Sequence, residues 1–229
     1  MRSDFHKHGP REKGSKRDVV RIALTGGPCA GKSSSMKSLT EALHKLGYDV
    51  FFVPEAPTLL MNGGCRYPGL EGGSQLMDFE VALMSLQLQL ERSFALVAAS
   101  TDRPSVLIMD RGLMDIKAYV PEATWRELLQ RMGLTEELLL ARYDAVLHLV
   151  TAADGAERFY TLEMAEGTSA RSETPAQARE LDARVRTCWS GHPKHFAVDN
   201  STSFQNKLQR ATDYVVSVAQ SIAASADPA

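Results

Sequence analysis

Apolar residues along this chain fall into two alternating patterns. One is the short unbroken run; the other is a longer stretch in which apolar positions recur every three or four residues. The first run, Val19, Val20, Ile22, Ala23 and Leu24, reads as a buried strand. Met36, Leu39, Leu43 and Leu46 then follow helical spacing, which predicts a helix from about Ser33 to Leu46 with Gly47 closing it. Tyr48 to Val53 reads as a second strand stopped by Pro54, and the glycine-rich stretch after it, Gly63 to Gly73, reads as a loop. From about Ser74 to Ser100 there is neither Pro nor Gly, and one long helix is expected. Ser105 to Met109 gives a third strand, about Ala123–Met132 and Glu136–Arg142 give two helices, and Ala145 to Thr151 gives a fourth strand. Thr174-Pro175-Ala176-Gln177 carries a capping-box pattern with Pro at the first helical position, so a helix should run from there to Trp189. Phe196-Ala197-Val198 is a short fifth strand, and Phe204 to Ile222 a closing helix.

Strands alternating with helices predict an α/β fold: a parallel sheet with helices on both faces, the three-layer arrangement. Ligands of such sheets bind beyond the carboxyl ends of the strands. The residues that follow the apolar runs are therefore the ones to examine: the turn after Leu24, then Glu55, Asp110 and Asp154.

The first of these turns is chemically explicit. Gly26-Gly27-Pro28-Cys29-Ala30-Gly31-Lys32-Ser33 matches G-x-x-x-x-G-K-[ST] at every fixed position, directly between a strand pattern and a helix pattern. Glycines let the backbone wrap so that successive N–H groups point at one anion, and the following helix aims its positive end at the same place. Gly26, Gly27, Pro28, Cys29, Ala30, Gly31, Lys32, Ser33 and Ser34 are thus expected to line a nucleoside triphosphate, ATP or GTP. Lys32 would reach the β- and γ-phosphates and Ser33 would hold Mg²⁺.

Further candidates follow from position. Asp110 closes a strand, where a carboxylate suits a second Mg²⁺ contact or a cap on the next turn. Glu55 would face the cleft and either accept a proton from an acceptor hydroxyl or simply hydrogen-bond it. Arg158 and Arg171 flank a polar segment that would close over a nucleotide and neutralise developing charge. Arg111 would bind phosphate or pair with a carboxylate. Gln87 and Gln89 are weaker candidates for reading a base or sugar, and His148, inside an apolar strand, reads as a satisfied interior residue.

Composition narrows the setting. A net charge of −2 makes no case for nucleic acid, and no apolar run approaches the ~20 residues of a membrane span. Three distant cysteines, Cys29, Cys65 and Cys188, suggest neither a disulfide framework nor a zinc site, so a reducing, cytoplasmic setting is expected. The length fits one α/β domain over 18–222, with a basic tail over 1–17 and an Ala/Ser-rich tail over 223–229. No Asn/Thr-Lys-x-Asp motif is present, and Asp110-Arg111-Gly112-Leu113 misses Asp-x-x-Gly, so both diagnostic parts of a Ras-like guanine switch are absent.

With these residues assembled, the chain resembles the NadR-type and TRPL-translocation-defect-type AAA-domain family of P-loop proteins. The matching stretches are the segment Thr25 to Ser33, Val53-Pro54-Glu55-Ala56, Asp110 to Asp115, His148 to Ala156, Arg171 to Thr174 and Asp199-Asn200-Ser201-Thr202. The resemblance implies a nucleoside-kinase-like fold with five parallel strands in the order 2-3-1-4-5. It implies phosphate and Mg²⁺ binding by Gly31, Lys32 and Ser33, a Walker B role for Asp110, a catalytic role for Glu55 and a lid position for Arg171. Translocation-defect proteins are associated with GTP and phosphoinositide binding and with trafficking. Two functions are therefore expected to compete. One is Mg²⁺-dependent phosphoryl transfer to a small-molecule acceptor, or hydrolysis; the other is a nucleotide-dependent regulator with a phosphoinositide or protein partner.

Overall fold

The computed structural model describes residues 19–160 and 173–226. Five strands, β1 (Val19–Gly26), β2 (Asp49–Val53), β3 (Ser105–Asp110), β4 (Ala145–Leu149) and β5 (His195–Val198), form one sheet in the order β2-β3-β1-β4-β5. Every pairing is parallel, with Ile22 beside Ile108 on one side of β1 and beside Ala145 on the other. This is the fold class that the alternation of strands and helices predicts, with the strand order that the resemblance implies.

The central strands are apolar on both faces because both faces are covered. Alternation sorts their side chains into two cores. Ile22, Leu24, Val106, Ile108 and Leu147 face α1 (Lys32–Lys45) and α7 (Phe204–Ala226), meeting Leu39, Leu43, Ala211 and Val215. Ala23, Leu107, Met109 and Val146 face the other layer, which includes α3 (Ser74–Ala99) and α4 (Glu122–Met132), with Met77, Met84, Trp125 and Trp189. The helix α5 (Glu136–Leu140) precedes β4, and α6 (Pro175–Cys188) precedes β5. The expected capping box at Thr174 is formed: Thr174 Oγ1 accepts from the Gln177 N–H, and the Gln177 side chain accepts from the Thr174 N–H.

Two seven-residue elements escape the periodicity reading. The helix α2 (Ala56–Asn62) begins directly after Glu55, with Pro57 in its first turn, where Pro suits helix initiation. A 3₁₀ helix, Leu113–Tyr119, follows the Asp110-Arg111-Gly112 turn. Each spans seven residues, too few for a stripe to declare itself.

The parallel topology brings the ends of β1, β2, β3 and β4 to one edge. The loop before α1, Glu55, Asp110 and Thr151 therefore lie together there although far apart in sequence.

Candidate functional site

The turn between β1 and α1 is shaped by glycines that admit no side chain. Gly31 caps α1 in a left-handed conformation, φ 92°, and a Cβ there would lie 2.9 Å from the Phe204 ring. A Cβ on Gly27 would lie 2.7 Å from Asp182 Oδ1. That closeness has a purpose: Asp182 Oδ1 accepts the Gly27 N–H at 2.7 Å and the Thr151 N–H at 3.1 Å, while Oδ2 meets His148 Nε2 at 3.2 Å. Burial alone would raise the Asp182 carboxyl. Contact with His148 and the two backbone N–H groups outweighs that and holds it below the usual range. Thr151 itself holds the next residue of the loop, its Oγ1 donating to the Pro28 carbonyl at 2.5 Å. The loop is thus pinned from the end of β4 and from α6 rather than left to its own flexibility.

Lys32 lies in the first turn of α1, and its Nζ donates to the Gly26 and Gly27 carbonyls at 3.2 and 3.4 Å. Burial and the charge of Arg111 push its pKa down to about 8, against the pull of Asp110, Glu55 and Asp115. Ser33 and Ser34 are exposed at the same helix end.

Asp110 ends β3 beside this loop. Its Oδ1 is buried and has no hydrogen-bond partner among the described residues. Burial pushes its pKa up, Lys32 and Arg111 pull it down, and the net direction is upward. A buried carboxylate oxygen left unpaired costs free energy unless something at the site satisfies it. A hard cation beside phosphate oxygens does that, so the pair Asp110 and Ser33 fits Mg²⁺.

Next to Asp110, Arg111 adopts φ 69°, unusual for a non-glycine residue. Backbone bonds hold it there: its N–H donates to the Leu24 carbonyl at 3.0 Å, and its carbonyl accepts from Gln87 Nε2 at 3.4 Å. The turn aims the guanidinium at Glu55, which it contacts through a short Nε to Oε1 bond, and brings it within 3.7 Å of Asp115. Glu55 also accepts from Thr58 Oγ1 at 2.5 Å. Burial would raise the Glu55 carboxyl, but Arg111, Thr58 and Lys32 together hold it below the usual range, hence ionised. Asp115 is buried and accepts from Thr25 Oγ1 at 2.7 Å and from Trp189 Nε1 at 2.5 Å. It ties the β1 end to the Arg111 turn.

A cleft of about 580 Å³ opens on the other side of the loop, lined in part by Cys29, Ala30, Arg158, Phe159, Asn200 and Lys207. The Arg158 guanidinium lies 4.6 Å from the Phe159 ring centroid. Asn200 Nδ2 donates to the Thr151 and Asp154 carbonyls, and its Oδ1 accepts from Lys207 Nζ at 2.7 Å. Lys207 also donates to the Val150 carbonyl at 2.6 Å, and burial pushes its pKa down to about 8.

A protein-family comparison decides what this arrangement belongs to. The family described as AAA domain matches residues 21–207. The chain belongs to the AAA domain family. No curated protein sequence matches it. Solved structures resemble this AAA-domain chain in fold. A deoxyadenosine kinase from M. mycoides, with products dCMP and dCDP bound, is 17% identical, with a TM-score of 0.53, over 86% of this chain and 100% of that one. The NadR protein in complex with NR is 12% identical, with a TM-score of 0.58, over 88% of this chain and 52% of that one. The chain thus spans about half the length of that NadR structure. The AAA-domain chain therefore has a P-loop, kinase-like fold, as the resemblance implied.

Most of the sequence candidates converge. Gly26 to Ser34, Asp110 and Glu55 share the carboxyl edge, while Arg158 lies across the loop in the cleft. Arg171 lies outside the described residues. Gln87 is buried in a network with Glu91, and Gln89 is exposed and bonded to Ser93, so Gln89 is remote from the cluster. His148 is interior, as expected, but only its Nε2 is paired; its buried Nδ1 has no hydrogen-bond partner among the described residues, so it is not the fully satisfied residue expected. Asp182 and Lys207 were missed as site-building residues. A signal existed for the first: Asp182 falls on the buried stripe of α6 with Ala178, Leu181 and Val185, where a carboxylate needs partners.

Proposed function

We propose that this AAA-domain chain binds a nucleoside triphosphate with Mg²⁺ and transfers the γ-phosphoryl group to a hydroxyl of a small-molecule acceptor. The observation that carries this reading is the juxtaposition, at one sheet edge, of the phosphate-binding turn, the Asp110 carboxylate, whose Oδ1 has no partner among the described residues, and the Glu55–Arg111 pair. A binding-only protein needs the first two and has no use for the third.

The roles follow from charge and position. The backbone N–H groups before α1 and the Lys32 ammonium would hold the β- and γ-phosphates. Ser33 and Asp110 would hold Mg²⁺, whose charge neutralises the bridging oxygens. The base and sugar would then occupy the cleft lined in part by Arg158 and Asn200, and competition between ATP and GTP reads which base it takes. Arg158 and Arg171 are the cations available to the transferred group from the chain's 157–173 region.

Glu55 and Arg111 would meet the acceptor. An ionised Glu55 accepts the hydroxyl proton and points the oxygen's lone pair at phosphorus. Its lowered pKa makes it a weak base, which suits a loose transition state in which the proton moves late and positioning supplies most of the rate. Arg111 then faces the equatorial phosphoryl oxygens as charge spreads over them.

The test is γ-phosphate transfer from labelled ATP and GTP with Mg²⁺ over a panel of nucleosides. Lys32→Ala and Asp110→Asn should remove turnover, and Glu55→Gln should lower kcat by ~10²–10³-fold with triphosphate affinity intact. Turnover no greater than that of Lys32→Ala on every acceptor, and on water, overturns the reading.

A further inference from the structure

The helix α3 carries a buried acid whose contacts reach both sides of the Arg111 turn. Gln87 and Glu91 stand four residues apart on α3, so they share a face one turn apart. Both are buried. Glu91 Oε1 accepts from Gln87 Nε2 at 3.1 Å and from the Tyr143 hydroxyl at 2.7 Å. Its Oε2 accepts from Arg142 Nε and Nη2 at 3.0 and 2.7 Å. All of these partners are donors, as a carboxylate requires.

Two of the donors also touch the turn. Gln87 Nε2 donates to the Arg111 carbonyl at 3.4 Å, and the Tyr143 hydroxyl oxygen accepts the Leu113 N–H at 2.8 Å. An amide and a hydroxyl can each offer a donor or an acceptor. Glu91 removes that freedom. Because the carboxylate only accepts, Gln87 must turn its NH₂ towards it and Tyr143 its O–H. What remains is a second amide hydrogen for the Arg111 carbonyl and a lone pair for the Leu113 N–H. Burial and the Glu91 charge push the Tyr143 pKa well up, so the hydroxyl keeps the proton it donates. With the Arg111 N–H held by the Leu24 carbonyl at 3.0 Å, three successive peptide units around Arg111 and Gly112 are fixed. A non-glycine residue at φ 69° persists only where its surroundings over-determine it.

Stability gives little reason for such a network, since apolar side chains of similar volume replace a buried ion pair without loss. Its use is geometric. We propose that Glu91 is a positioning residue: it sets the donor and acceptor polarity of Gln87 and Tyr143, and through them the Arg111 turn that aims the guanidinium at Glu55. The kinetic consequence rests on the phosphoryl-transfer reading; the aim of Arg111 does not.

The experiment follows the Glu55 carboxyl of the full chain through a pH titration by carbon-13 NMR, its signal identified by its loss in Glu55→Gln. Against burial, the Arg111 charge is the largest pull on that carboxyl downward. Arg111→Ala should therefore raise the midpoint, and it sets the scale. Tyr143→Phe keeps the ring edge-on to Trp189 and removes one hydroxyl; Glu91→Gln keeps the shape and adds a donor. Each should give at least roughly half of the Arg111→Ala rise. In the Arg111→Ala background each should add less than ~0.2 pH unit, because the effect passes through Arg111. Gln87→Met removes the longer bond to the turn and should move Glu55 the same way by less, which keeps the test decisive if Glu91→Gln does not fold. In the transfer assay Tyr143→Phe should lower kcat by ~10-fold with the triphosphate KM within ~2-fold. A purely structural Glu91 would lower Tm and leave Glu55 where it is. A midpoint unmoved by Arg111→Ala, or unmoved by the folded Tyr143→Phe and Gln87→Met variants, or shifts that persist undiminished without Arg111, overturns the assignment. Failure of phosphoryl transfer is a separate result: the expected Glu55 shifts with no labelled product sink the transfer reading and leave Glu91 as the residue that aims Arg111.

Discussion

Lys32 carries its charge in a place that discourages charge. Burial and Arg111 lower its pKa to about 8, and its ammonium rests on the Gly26 and Gly27 carbonyls. Bound phosphates would favour the charged form, so binding should take up protons where free Lys32 is already neutral. Triphosphate affinity is therefore expected to fall as pH rises through about 8, with proton uptake appearing over the same interval. Calorimetry in buffers of different ionisation heats reads both, and affinity flat from pH 7 to 9.5 refutes it. Asp182 shows the opposite economy. Its carboxyl is held below the usual range by His148, Gly27 and Thr151, so it adds stability above the ordinary Asp range that is lost as pH falls through its lowered value. Asp182→Ala would strand two buried N–H groups and His148, at a cost of about 1–3 kcal/mol in urea unfolding. The same change should weaken triphosphate binding, because Gly27 loses the bond that fixes the turn. Unchanged unfolding and unchanged binding would mean that the turn holds its shape unaided.

At the junction of β3 and the 3₁₀ helix, three consecutive residues do different work: Asp110 buries a carboxylate oxygen with no partner among the described residues, Arg111 turns with positive φ, and Gly112 lets Trp189 close over the junction. A Cβ on Gly112 would stand 2.6 Å from the Trp189 ring and 3.1 Å from Ala23. Trp189 is fully buried and bonded to Asp115, so it has nowhere to retreat. Gly112→Ala should cost about 1–3 kcal/mol by overpacking and, by moving the Arg111 turn, lower kcat more than it raises the nucleotide KM. An enzyme with an ordinary kcat after this substitution would show the turn to be tolerant. This junction also marks where sequence reasoning stops. Strands and long helices were legible because each declares itself within its own residues: Leu39 and Leu43 by spacing, Thr174 and Gln177 by a cap. The phosphate turn was legible for the same reason. What escaped is built across the chain. Gly27 bonds a carboxylate 155 positions away and Arg111 one 56 positions away, and no local pattern announces either partner. The seven-residue helix α2 and the 3₁₀ helix escaped because a stripe needs more turns than they have.

At the scale of the whole molecule, the site is a junction of elements contributed from both ends of the sequence. The turn between β1 and α1 leans on Thr151 after β4, on Asp182 of α6 and on Phe204 at the start of α7. A ligand that draws the loop, Lys32 and Asp110 together therefore couples to the packing of both layers, and its binding free energy should appear as global stability. A ligand bound to the native state alone stabilises it by ~2.7 kcal/mol at one hundred times its dissociation constant. For a chain of this size that corresponds to a rise in Tm of ~5–10 °C, at ~2–4 °C per kcal/mol. Thermal unfolding with a non-hydrolysable triphosphate should give that shift with Mg²⁺, a smaller one with chelator, and none in Lys32→Ala. Asp110→Asn separates metal from phosphate: it should reduce the shift to the value seen with chelator while leaving the Tm of the free protein no lower, because the substitution removes a charge that burial disfavours. A full shift in Asp110→Asn would remove Asp110 from the metal site, and no shift in the wild type would remove the nucleotide from the protein.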